Sequence, residues 1–138
     1  MRRFTVHAEP RGQGRPRAGN GTIYKTKEDK AWEKMILTAY QMQYPIALPL
    51  AGAVKVSIEA VLSIPASKPR KVQDDMMTGK IPAQKKPDVD NVAKAVLDAL
   101  NRVAWHDDKQ VVQLTVRKRY GHPARMVVAI EEAEDANR

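Results

Sequence analysis

Val89, Ala93, Val96, Leu100 and Val103 recur at i, i+4, i+7, i+11 and i+14, the spacing that lines one face of an α-helix with apolar side chains. Val92 and Leu97 widen the stripe. The segments on either side have the other period. Val54, Val56, Ile58 and Ala60 alternate with Lys55, Ser57 and Glu59, and Val111, Val112, Leu114 and Val116 lead into alternation with Arg117 and Arg119. That is the pattern of strands with one wet face. A one-sided helix and one-sided strands must cover each other, so the chain is confined to layers of helix on sheet.

The remaining segments fill in the order. Phe4 to Ala8 alternates as a half-buried strand and stops before Pro10. Arg11 to Gly21 is rich in Gly and Arg and reads as a loop or hairpin tip, with Thr22-Ile23-Tyr24 returning as a short strand. Thr26 is placed to cap a helix: Asp29 follows three residues on, and Trp32, Met35, Ile36, Ala39 and Tyr40 keep helical spacing. The strand from Val54 runs on to Ile64 and ends at Pro65. Residues 66–87 form a polar, basic excursion with a short helix from Lys68 to Met77, ended by Gly79. Gly121-His122-Pro123 is a turn, and Met126 to Ile130 makes a final strand, expected antiparallel to the one before it. The expected fold is α+β, a small mixed β-sheet with helices packed on one face. It forms a single domain over residues 1–138, with 66–87 as an insertion and 131–138 as an acidic tail (Glu131, Glu132, Glu134 and Asp135 against Arg138).

Several function classes are excluded. The chain has no cysteine, so disulfide scaffolds, thiolate metal sites and cysteine nucleophiles drop out. No apolar run approaches the roughly 18 residues that span a bilayer, and MRRFTVHAEP has no apolar stretch behind its arginines. The expectation is a cytoplasmic protein without a membrane partner. The formal net charge is +8, and the basic residues cluster early (Arg2, Arg3, Arg11, Arg15, Arg17, Lys25, Lys27 and Lys30). Charge of this sign and placement favours a polyanion, with nucleic acid the commonest.

Against that background "KPDVDN", residues 86–91, places Asp88 and Asp90 two apart at the start of the best helix. Asp at a helix N-cap is common chemistry, and one Asp suffices for it. Two converging carboxylates also suit a divalent cation. Asp107-Asp108 follows at the other end of the helix, where the dipole disfavours acids and a turn is the plain explanation. Lys94 lies four residues after Asp90, with Asp98 four further on, which an ion-pair ladder would explain. A helix from Asp90 to Val103 spans roughly 20 Å, so spacing alone does not bring Asp108 to the pair.

The string "KPDVDNVAKAVLDALNRVAWHDDKQVVQLTVRKRYG", residues 86–121, resembles the core of the RusA family of Holliday junction resolvases, small homodimeric, magnesium-dependent endonucleases of bacteria and their prophages. The shared pattern is D-x-D-N, a Lys four residues after the second Asp, an apolar helix containing D-A-L, then D-D-x-Q-[IV] and a basic strand. "GRPR" at 14–17 resembles the basic loop after the first strand of relatives, and 65–87 looks like the longer insertion of some members. The resemblance implies that Asp88, Asp90 and Asp108 are catalytic, metal-binding carboxylates approaching one another, with Lys94 as catalytic lysine. The implied cofactor is Mg2+, with Mn2+ as a substitute, and the implied partners are branched DNA and a second copy of the chain. Arg11, Arg15, Arg17, Lys68, Arg70, Lys71, Lys85 and Lys86 would follow DNA phosphates. Trp105 is expected in the core or an interface, and His106 in a loop. Two other readings stand beside this one: a non-catalytic nucleic-acid-binding module, and a nuclease for flaps or replication forks.

Overall fold

The apolar stripe at 89–103 is helical over Val89–Leu100 only. Arg102 takes a positive φ of 69°, a left-handed conformation in which a helix does not continue. Val103 packs on the core from the loop that follows. The computed structural model from which this is read describes residues 1–14, 17–19 and 22–133, with 17–19 and 22–24 as backbone.

In chain order the elements are strand β1 (Arg2–Val6), a hairpin of β2 (Arg17–Gly19) and β3 (Thr22–Tyr24), helix α1 (Lys27–Gln43), β4 (Val54–Leu62), helices α2 (Arg70–Met77) and α3 (Val89–Leu100), then β5 (Val111–Tyr120) and β6 (Arg125–Glu132). A single 3-10 turn, Asp108–Gln110, precedes β5. Thr26 caps α1 as its sequence position suggests: its hydroxyl accepts from the Asp29 N–H at 3.1 Å. Gly79, with φ of 85°, follows α2.

The main sheet has the order β1-β6-β4-β5, parallel between β4 and β5 and antiparallel elsewhere. The fold class is the expected one, a mixed sheet with helices on one face. One pairing differs: β6 lies beside β1 and β4, not beside β5. Alternation in two consecutive strands specifies which face each buries, not which neighbour it takes. Here α3 carries the chain across between β4 and β5, which makes them parallel. The turn after β5 then steps over the end of β4, where the Gly121 N–H donates to the Leu62 carbonyl at 2.9 Å. Two strand spacings of about 4.8 Å are within reach of that short turn.

Helix α1 packs over β1 and against α3, and α3 packs over β5. Trp32, Ile36 and Tyr40 of α1 meet Val92, Val96 and Leu100 of α3 over Phe4, Val56, Ile58, Val128 and Ile130 of the sheet. The opposite face is polar, with Arg119 paired to Glu59 at 3.0 Å. The excursion has its own small core: Met76 and Ala83 close against Leu62 and Tyr120. Burying a side chain of that size stabilises by about 1.5–3 kcal/mol, enough to seat α2 at the ends of β4 and β5. Lys118 adds a bond there, donating to the Lys85 carbonyl at 2.7 Å. The chain entering α3 is thus fixed at the C-terminal edge of the β4–β5 pair.

Candidate active site

Asp88 occupies the N-cap position of α3 with extended backbone, φ −72° and ψ 149°, yet its carboxylate makes no capping hydrogen bond. Its carbonyl, not its side chain, accepts from the Val92 N–H at 3.0 Å. Asp90 lies inside the first turn, so the pair straddles a helix start and is not an extended i, i+2 run. Both side chains are exposed, and among the described residues no ion pair holds either. Capping therefore does not account for these acids. The helix start supplies unpaired N–H groups and a positive dipole end, which favour ionised carboxylates.

A loop from the other side of the core is clamped against this turn. The Gln13 N–H donates to the Asn91 carbonyl at 3.0 Å. A Cβ on Gly12 would lie 2.7 Å from that of Asn91 and 3.1 Å from that of Pro87, so no larger residue fits this approach unchanged. Between loop and helix opens a cavity of about 390 Å³ lined by Arg11, Lys86, Asp88 and Asn91 among others. Two cations and a free carboxylate face the same space, the arrangement that suits a phosphate beside a metal. A larger groove of about 680 Å³ between β1 and α1 is bordered by Thr5, His7, Met35 and Met42 and includes no carboxylate.

The loop is held by Asp29, which sequence reading took only as part of the α1 cap. Its carboxylate is buried, 3% exposed, and accepts from the Gly14 N–H at 3.2 Å and from Arg11 at 3.3 Å. Burial alone would raise its pKa, but bonds from Gly14 and Thr26, with the Arg11 charge, outweigh it and hold the carboxyl below the usual range. A depressed folded-state pKa adds stability that is complete above the unfolded value of about 3.9. That stability is lost as pH falls through the lower folded value. Asp29→Asn should therefore cost about 1–3 kcal/mol at neutral pH, and its deficit relative to wild type should shrink below about pH 4. Urea melts of both proteins between neutrality and strong acid will show this; a constant gap across that range would refute it.

Lys94 is exposed and lies 3.8 Å from Asp98, which also pairs with Lys25 at 3.2 Å. The i, i+4 ladder expected from sequence therefore exists on its C-terminal side. Among the remaining cations, Lys68, Arg70 and Lys71 are exposed at the start of α2. Lys85 sits over the Tyr120 ring at 5.5 Å, and Lys86 borders the cavity. Arg15 and the acidic-tail residues Glu134, Asp135 and Arg138 lie outside the described residues, and Arg17 is described by its backbone alone.

Asp108 lies at the far end of α3 from Asp88 and Asp90, and no cluster of three potential metal-ligating side chains forms within one chain among the described residues. The twelve residues of α3 separate the two ends, a rise of roughly 18 Å. Asp107 is spent on structure, capping the 3-10 turn by accepting from the Lys109 N–H at 2.9 Å and sharing a capping box with Gln110. Gln110 is anchored in turn to the Leu50 and Gly52 carbonyls. Asp108 is half-buried and accepts from the Trp105 indole N–H at 2.8 Å, while Trp105 is fully buried. His106 is an exposed loop residue. Sequence reading did not find the clamp of Gly12, Gln13 and Asn91; its one signal was a glycine-flanked Gln beside the basic loop.

A family model described as "Endodeoxyribonuclease RusA" matches residues 7–131. The chain is also 36% identical over 137 residues to the protein of Bacillus subtilis (strain 168) called "Uncharacterized protein YqaN", covering 94% of this chain and 95% of that one.

Proposed function

Because the chain belongs to the RusA endodeoxyribonuclease family, we propose that it is a magnesium-dependent endonuclease resolving four-way DNA junctions by symmetric phosphodiester hydrolysis in recombination and repair. The observation that carries the proposal is the pair of exposed carboxylates at the start of α3, free of capping bonds at Asp88, beside a cavity walled by Arg11 and Lys86.

Carboxylates in an exposed, dipole-favoured position are the donor set that Mg2+ or Mn2+ accepts. Asp88, Asp90 and Asp108 would hold the ion, which when bound neutralises phosphate charge and lowers the pKa of a bound water. The other groups in the site come from the chain. Arg11 and Lys86 hold the phosphates flanking the scissile one through charge-assisted bonds. Lys94, one turn along α3, offers its ammonium to charge that develops on the phosphoryl oxygens. Lys68, Arg70 and Lys71 extend the cationic path along α2 and read backbone, not sequence. With α3 between Asp108 and the Asp88 and Asp90 of the same chain, the third carboxylate in this proposal would come from a second copy. A two-fold dimer then has two such sites, matching the two equivalent strands of a junction.

End-labelled four-way junctions, flaps and linear duplexes of shared sequence provide the test. With Mg2+, paired nicks placed symmetrically across the branch are expected on the junction, at least about tenfold faster than any cut on the duplex. Equal cutting of flaps would favour the fork-nuclease reading. Tight binding without any cutting would leave only a DNA-binding module.

A further inference from the structure

We propose that the groove between β1 and α1 takes an extended peptide of a partner protein, added as a strand to the free edge of β1. That peptide is acidic at its N-terminal end and apolar at alternate positions after it. β1 ends the main sheet, and among the described residues no strand pairs with its outer edge. The Tyr44 hydroxyl shows which backbone groups face outward. It accepts from the Arg3 N–H at 2.7 Å and donates to the Arg3 carbonyl at 3.2 Å. Arg3 thus turns both groups away from β6, and in an antiparallel ladder the residue two further on does the same. That residue is Thr5, which pairs with β6 in the same unbroken register. Tyr44 closes the first position of the edge; the second has no such cover among the described residues, and an open strand edge is a template for another strand.

The groove lies beside that open position. β1 and α1 run in opposite directions, since Arg3 meets Tyr44 and the Phe4 ring meets that of Tyr40 at 5.5 Å. Ala31, Met35, Thr38 and Met42 recur at helical spacing and form one wall of the groove. Met35 is 47% and Met42 79% exposed, so this stripe of α1 has no cover of its own. Phe4 and Val6 are buried under the helices. On an added strand, the residues opposite them put their side chains on that same face, into the space of about 680 Å³ beside Met35 and Ala39. Backbone pairing then supplies affinity and the helix wall selects alternate side chains, as strand-addition recognition requires.

Charge sets the direction of the guest. Lys27, Lys30 and Lys34 are exposed and spaced to share one side of α1, and Lys34 borders the groove. That half of the helix exposes a single carboxylate, Glu28, because Asp29 is buried and Glu33 pairs with Lys25. The other half, Met35 to Gln43, has no charged side chain. The groove is therefore cationic at one end and neutral and apolar at the other, which suits a peptide of mixed character and not a strand of nucleic acid with phosphate throughout. Thr5 offers an N–H and a carbonyl together, and one residue of an antiparallel strand satisfies both. An antiparallel strand begins at the C-terminal end of β1, the lysine end, so the acids come first.

Fluorescence anisotropy of a synthetic peptide, three aspartates followed by alternating threonine and valine, tests this on the full chain without DNA or metal. Saturable binding is expected, with amide shifts in NMR spectra at Thr5 and Met35. Thr5→Pro removes the outward N–H, and an edge strand tolerates proline where its N–H faces solvent. It should weaken binding at least about tenfold. Met35→Glu, at an exposed position, should do the same, and circular dichroism melts of both variants should match wild type. A peptide with lysines in place of the aspartates should not saturate. No saturable binding, or equal binding by wild type and both variants, would overturn the inference. Displacement of the peptide by an equal concentration of oligothymidylate would make the groove a general polyanion surface, and altered sedimentation of unliganded Met35→Glu would make it a contact between copies; either would overturn it too. Thr5 and Met35 lie apart from the carboxylate site, so the nuclease reading stands or falls separately.

Discussion

Asp90→Asn is expected to lose junction cleavage by on the order of a thousandfold while binding the junction nearly as well as wild type. The amide keeps the shape of the carboxylate and removes the charge that would hold a cation. A metal's contribution to the transition state is several kcal/mol, and about 4 kcal/mol corresponds to a factor of roughly a thousand. Binding is expected to draw instead on cations spread over Arg11, Lys86 and the start of α2, so one acid fewer should not weaken it. The fold should also survive, because Asp90 is exposed and its loss from the first turn costs only the dipole interaction, about 0.3–1 kcal/mol. Cleavage and gel-shift assays on the same preparation separate these effects. Unimpaired Mg2+-dependent cutting by the variant would remove Asp90 from the site.

The second large effect is expected at Trp105, which has two separable roles. Its ring is fully buried in the core, and its indole N–H holds Asp108 at 2.8 Å. Trp105→Ala should cost about 3–5 kcal/mol of stability, the range for deleting a large buried aromatic side chain. Trp105→Phe fills much of the same space but has no donor. It should cost less stability, and it leaves Asp108 unoriented, which for groups supporting a metal ligand typically means a 10–100-fold loss in activity or metal affinity. Thermal melts and Mg2+ titrations of cleavage distinguish the two. If Trp105→Phe cut at the wild-type rate with unchanged Mg2+ dependence, the indole bond would be structural only.

Much of this was legible in the sequence because it depends on local patterns. The periods of the β4 and α3 segments and the cap at Thr26 depend on nearest-neighbour geometry and give the elements expected, although β4 ends at Leu62 and not Ile64, and α3 ends at Leu100 before Val103. The pairing of β6 was not legible, since nothing local to Met126–Ile130 tells β4 from β5 as a neighbour. At the site, Asp88 and Asp90 could be singled out by spacing, but whether Asp88 was spent on capping required coordinates. The clamp on the basic loop was hidden for a different reason. It runs through the backbone of Gln13 and Asn91 and through a buried acid, Asp29, and backbone partners leave no side-chain pattern. Asp108 shows the limit of carrying a role over by motif. The motif names the residue, while the length of α3 sets it apart from the Asp88 and Asp90 of its own chain.

The central claim is that a nuclease site is shared between two copies, and mixing two inactive variants tests it most directly. Asp90→Asn and Asp108→Asn proteins should each be inactive alone. When they are mixed, unfolded and refolded together, half of the dimers are hybrids, and each hybrid has one intact site if Asp108 acts across the interface. Junction nicking should then return to about a quarter of the wild-type rate per site. If Asp108 served the Asp88 and Asp90 of its own chain, every site in the mixture would lack one carboxylate, and the mixture would stay as inactive as its components.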